Sequence, residues 1–189
     1  MRRTGITVAT IACATAVLAG PANAGTADPF NSQYEGRAPK ADTASYIGFD
    51  VKKKRGTQRV TKVKTLIPFK CANGGPQNAY LPIFGKGAIK VKPTGKFTGS
   101  VKAQFPAALG QIPVRFKKGS KITLTGKLGK GKVVKGSVNS VIKLAPIAPP
   151  PPRGVTSLNC FTGKIKFEVK RGADVTPVAP VVTREALGV

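Results

Sequence analysis

Val60-Thr61-Lys62-Val63-Lys64-Thr65-Leu66-Ile67-Pro68-Phe69-Lys70-Cys71 is the stretch on which the fold turns. Val63, Thr65, Ile67 and Phe69 fall on one side of an extended chain and Lys62 and Lys64 on the other, the period of a half-buried strand. Cys71 shares the parity of Phe69, so its sulfur points into the apolar layer, where an inter-sheet disulfide needs it. Cys160 lies 89 residues further on. No acidic residue occurs from Val51 to Phe167, while lysine recurs every few positions.

Outward from this core, residues 1–24 read as an export leader. Arg2 and Arg3 form a positive start, Ile6 to Gly20 an apolar run, and Ala22-Asn23-Ala24 a small-residue cleavage signal between Ala24 and Gly25. An uncleaved anchor is the competing reading, but the apolar run is short and stops at Gly20-Pro21. A lipid on Cys13 would leave too short an apolar stretch before it. The paired arginines lack the surrounding motif of twin-arginine export. Loss of Arg2 and Arg3 with the leader lowers the formal charge from +25 to +23. No later segment is apolar for the roughly 18 residues a spanning helix needs. A secreted or envelope-associated protein is therefore expected.

Without Cys13, Cys71 and Cys160 are the only possible intramolecular pair. An oxidising compartment lets such a bond persist. Nothing resembles the C-x-x-C of a reactive thiol pair, so a structural bond is expected.

Residues 25–44 are small, polar and aperiodic and read as a flexible leader to a domain spanning 45–172. Ile47, Phe49 and Val51 alternate as a first strand. Lys52-Lys53-Lys54-Arg55-Gly56 follows as a hairpin connection with its charges at the turn. After the long strand, Asn73-Gly74-Gly75-Pro76 is a turn, and Pro82 within Tyr80–Phe84 argues for an edge or a bulge. Further strands are read at Ala88–Lys92, Lys96–Lys102, Ile112–Phe116, Lys121–Thr125 and from Val134 to Leu144. Gly126 to Lys132 forms a basic hairpin tip. Pro149-Pro150-Pro151-Pro152 must be extended, either as a stiff connector or as a ligand for an aromatic groove. In the last strand, Cys160 and Ile165 have opposite parity, so a bulge or turn near Thr162-Gly163 is required. Residues 173–189 read as a loose tail. No window holds a helical period. About eight or nine short strands between Gly/Pro turns predict an all-β fold, a two-sheet immunoglobulin-like sandwich of antiparallel strands with one inter-strand disulfide.

Several short motifs recur in a particular order. They are Tyr46-Ile47-Gly48, Cys71-Ala72-Asn73-Gly74, Gly95-Lys96-Phe97, and Cys160-Phe161-Thr162-Gly163 leading into Lys164–Arg171. In this the chain resembles a group of uncharacterised secreted β-sandwich proteins of actinobacteria over roughly residues 45–171. It departs from them in lacking a Trp in the last strand and in its poly-Pro segment. The resemblance implies an extracellular sandwich with a Cys71–Cys160 bond, and no activity.

The side-chain inventory argues against catalysis. Histidine is absent, which removes the commonest general base and metal ligand. Asp50 and Glu168 are the only carboxylates near the core. They could in principle serve a glycosidase, but read more simply as counter-charges of a lysine-rich sheet. Gly126-x-x-Gly129-x-Gly131 is too weak a phosphate cradle without a following helix. No cofactor is expected. What stands out is 32 Lys+Arg against 7 Asp+Glu. Lysines at alternate strand positions keep edges soluble, or they hold polyanions by counterion release: cell-wall phosphate polymers, acidic polysaccharide, or nucleic acid without sequence preference. The candidate clusters are Lys52, Lys53, Lys54 and Arg55; Arg115, Lys117, Lys118 and Lys121; and Lys127, Lys130 and Lys132. The alternative is a protein-binding or structural module, an inhibitor or envelope-assembly factor, using loop 145–154.

Overall fold

The computed structural model describes residues 32–72, 77–105, 114–146 and 158–175. The expected cleavage site, the 73–76 turn and the Pro149–Pro152 connector lie outside these residues. So does the tail beyond 175. Ten strands are described: β1 (Tyr34–Arg37), β2 (Tyr46–Lys54), β3 (Thr57–Cys71), β4 (Gln77–Lys90), β5 (Lys96–Gln104), β6 (Val114–Phe116), β7 (Lys121–Lys127), β8 (Val133–Pro146), β9 (Leu158–Phe161) and β10 (Ile165–Arg171). The fold is all-β and antiparallel, as the alternation predicts.

The pairing differs from the expected two-sheet sandwich. The ladders join every strand into one sheet, in which β10 pairs with both β1 and β8. The order β1-β2-β3-β4-β5-β7-β8-β10 therefore returns to β1 and forms a ring. β6 extends the β7 side of β8, and β9 bridges β8 and β3 beyond the ends of β10 and β2. Period-two alternation reports which face is buried, and it is the same for a closed ring as for two facing sheets.

Two prolines mark where the ladder changes partner. Pro68 falls between the last β2 partner of β3, at Leu66, and the first β9 partner, at Lys70. Proline has no N–H to give a neighbouring strand, so this gap is where β3 tolerates it. Pro82 lies in a part of β4 that pairs with β3, while the β5 ladder begins only at Phe84. The edge expected for it is present among the described residues.

Local backbone features follow the sequence closely. Arg55 and Gly56, with φ of 49° and 77°, make the two-residue turn between the paired Lys54 and Thr57. At Lys62 (φ 49°) the register slips against both neighbours. This bulge turns Val60 and Val63 inward together although they are three residues apart. The bulge required near Thr162-Gly163 is also found. Gly163 has φ 66°. The pairing with β8 shifts by one residue between Val141–Phe161 and Val138–Ile165. β9 and β10 are thus two pieces of one broken strand lying along β8.

The interior is filled by Val63, Ile67, Phe69, Ile83, Ile122, Leu124, Val138 and Ile142, all fully buried, among others. Phe49 sits at the centre of an aromatic group. Tyr34 stacks on it at 5.4 Å, and Phe97 and Phe167 meet it edge-on at 6.0 and 6.3 Å. The row Phe97–Gly126–Gly136–Phe167 crosses four strands in register. A methyl added at Gly126 or Gly136 would lie 2.6 Å from Phe97 Cζ or Phe167 Cζ. The two glycines make room for the two rings.

The disulfide joins Cys71 and Cys160, which are directly opposite on β3 and β9 with Cα atoms 3.9 Å apart. It is therefore cross-strand within the sheet and not inter-sheet, because β9 enters the ladder beside β3.

Folded chain is already present at residues 32–44, inside the stretch expected to be a flexible leader. β1 inserts between β2 and β10, and it rests on the buried Glu35. One carboxylate oxygen accepts from Ser32 N–H and from the Tyr46 hydroxyl (3.1 Å), and the other accepts from Val175 N–H at 3.1 Å. That last bond also ties down the start of the segment read as a tail. Tyr46 folds back over Gly48, where any Cβ would collide with its ring, so the Tyr-x-Gly motif serves this contact. Nearby, Tyr80 donates to Asp42 Oδ2 at 2.6 Å. Burial, then this bond and the negative charge of Asp42, push the Tyr80 phenol up to about 12. Unfolded tyrosine ionises first, so the stabilisation is complete below about pH 10 and is lost as pH rises toward 12. Asp42→Asn is expected to lower the Tyr80 transition in a phenolate absorbance titration without restoring its ordinary value, since burial remains. A titration identical to wild type would contradict this assignment.

Candidate polyanion-binding face

The eleven cationic candidates fall at opposite ends of the ring. Lys52–Arg55 occupy the β2–β3 tip, and Lys130 and Lys132 the β7–β8 turn at the same end; all are exposed. Val51 and Gln58, below the first tip, line the same depression of about 810 Å³ as Lys127, Lys130, Lys132 and Arg171. Arg171 N–H donates to the Lys132 carbonyl at 2.7 Å, and Leu128 N–H to that of Gly95 at 2.9 Å, which fixes this turn. Arg115, Lys117, Lys118 and Lys121 are exposed at the other end. There the Ser120 hydroxyl and the Lys117 N–H bond the β8 backbone at Lys143. The three clusters therefore do not form one site.

A different arrangement lies along the outer face of β5, β7 and β8. Lys96-x-Thr98-x-Ser100-x-Lys102 on β5 is matched by Lys121-x-Thr123-x-Thr125-x-Lys127 on β7 and by Lys135-x-Ser137-x-Asn139 on β8. Antiparallel register stacks these strings. Lys96 faces Lys127, which faces Lys135. Lys86 of β4 faces Lys102, which faces Lys121. Between these two lysine rows run Thr98–Thr125–Ser137 and Ser100–Thr123–Asn139, with a 2.8 Å bond between the Ser100 and Thr123 hydroxyls. Lys102 is six residue steps along the strand from Lys96, about 20 Å. Lys166 of β10 stands opposite Ser137, and Lys164 and Lys166 close the side of a shallow groove of about 460 Å³.

Like charges placed directly opposite on neighbouring strands repel. Here four such pairs occur in two rows. Glu168 offsets part of this, 3.7 Å from Lys135 and 3.4 Å from Lys40. Among the described residues, Lys96, Lys102, Lys121 and Lys127 have no ion pair. Asp50 accepts from Gln33 N–H at 2.9 Å and pairs with Lys62 at 3.4 Å. Asp50 and Glu168 are thus local counter-charges, but they are not the only carboxylates near the core, because Glu35 is buried there as well. Among the described residues no three potential metal-ligating side chains cluster, and no helix is long and apolar enough to cross a membrane.

Of the eleven candidates, Lys121 and Lys127 belong to these rows. Lys86, Lys96, Lys102, Lys135, Lys164 and Lys166 were missed because charge runs draw the eye to turns. The repeated Lys-x-Thr-x-(Ser/Thr)-x-Lys string marks Lys96 and Lys102 as it marks Lys121 and Lys127, whereas Lys86, Lys135 and Lys166 are placed beside them only by strand register and Lys164 by the groove it lines. Compared with known proteins, the chain matches no family model, no curated protein and no solved structure.

Proposed function

We propose that this is a secreted, non-enzymatic basic protein that associates electrostatically with polyanions of the cell envelope or its surroundings. The observation that carries this reading is the pair of facing lysine rows on the β4–β5–β7–β8 surface, whose mutual repulsion a bound polyanion would relieve. The leader-like N-terminus, the disulfide and the likeness to secreted actinobacterial sandwich proteins support placement outside the cytoplasm. The purified mature protein is expected to be retained on its own cell-envelope fraction and released by rising salt. A Lys96→Glu/Lys127→Glu/Lys135→Glu variant, which reverses one of the two rows, should elute at lower salt. Absence of retention, or retention indifferent to salt and to the variant, would contradict the reading and favour an apolar docking partner.

A further inference from the structure

Resting on that reading, we infer that the partner is a phosphodiester-linked polyol or sugar polymer, held with its phosphates on the two lysine rows and its hydroxyls on the Thr/Ser/Asn floor between them. The floor is built of short alcohols and one amide, in register across three strands. Such groups both donate and accept hydrogen bonds, so they match a chain that alternates anionic phosphate with neutral hydroxyl. A nucleic acid asks for something else. Its bases gain affinity by stacking on aromatic rings. Among the described residues the one exposed aromatic near this face is Phe161, 48% exposed next to Val141, and the half-buried Phe84, two residues from Lys86, already carries the Lys64 ammonium over its ring at 5.6 Å. A uniformly charged polymer would be served by lysines alone and would leave the floor without a role.

The test uses the full mature, oxidised protein and three probes: synthetic poly(glycerol phosphate), inorganic polyphosphate and single-stranded DNA. Thr98→Val/Thr125→Val removes two floor hydroxyls while keeping side-chain shape. It should weaken poly(glycerol phosphate) binding about tenfold and leave polyphosphate binding unchanged. Lys96→Ser/Lys127→Ser/Lys135→Ser should weaken binding of both polymers at least tenfold. This variant relieves like-charge repulsion, so its melting temperature should not fall. If the valine pair changes nothing, or weakens both polymers equally, the hydroxyl floor is not a recognition surface, although polyanion association stands. DNA binding as tight as that of poly(glycerol phosphate) would overturn the assigned partner class. Wild-type binding that survives in the serine variant would place the site elsewhere. If the wild type binds none of the probes, this inference and the broader reading fail together.

Discussion

Replacing both Cys71 and Cys160 by alanine is expected to lower the free energy of unfolding by about 4–5 kcal/mol. The bond closes a separation of 89 residues, and in the chain-entropy account a loop of that length constrains the unfolded ensemble by about that amount. The structure adds a local reason for its importance. Among the described residues, two ladder pairs, Lys70–Phe161 and Cys71–Cys160, hold β9 against β3, beside a Pro68 gap in which β3 has no described neighbour on that side. Urea unfolding of the oxidised protein and of the alanine pair would give the difference directly. Faster amide exchange at Ala72, whose N–H donates to the Asn159 carbonyl at 2.9 Å, should accompany it. Reduced wild type provides the same comparison if the alanine pair folds poorly. A loss below about 1 kcal/mol would show that the β3–β9 seam is held by packing instead.

Phe49→Ala should cost about as much, roughly 3–5 kcal/mol. Phe49 is fully buried and touches the rings of Tyr34, Phe97 and Phe167 together. Those rings come from β1, β5 and β10, so the truncation loosens strands that meet from both directions around the ring. Collapse into the cavity is restricted. Phe97 and Phe167 already sit against Gly126 and Gly136, and moving them would open space over those glycines. Phe49→Leu, which keeps more volume, should recover a good part of the loss. Thermal or urea denaturation of the two variants checks the order. Equal stabilities for Phe49→Ala and wild type would mean that this aromatic group is not a core element.

The strands were largely legible because alternation is a local property. Val63, Ile67, Phe69, Ile122, Leu124, Val134, Val138, Ile142 and Leu144 all face inward as their parity requires. The parity conflict between Cys160 and Ile165 announced the bulge at Gly163. Closure of the ring was not legible, because strand partners are set by long-range pairing that leaves no local periodicity. β1 was missed for another reason. Tyr34-Glu35-Gly36-Arg37 is too short to show alternation, and it buries a charged residue whose hydrogen-bond partners lie at Ser32, Tyr46 and Val175. The lysine rows are not legible in the sequence because each lysine is ordinary on its own strand. Their character appears only when register sets Lys96, Lys127 and Lys135 side by side.

Electrostatic capture of a polyanion by these rows is tested most directly by measuring affinity for poly(glycerol phosphate) over a series of salt concentrations. Six lysines that each displace a counterion predict a slope of log Kobs against log salt of about −4, falling to about −2 in Lys96→Ser/Lys127→Ser/Lys135→Ser. A slope near zero, or one unchanged by the three substitutions, would contradict the role assigned to this face.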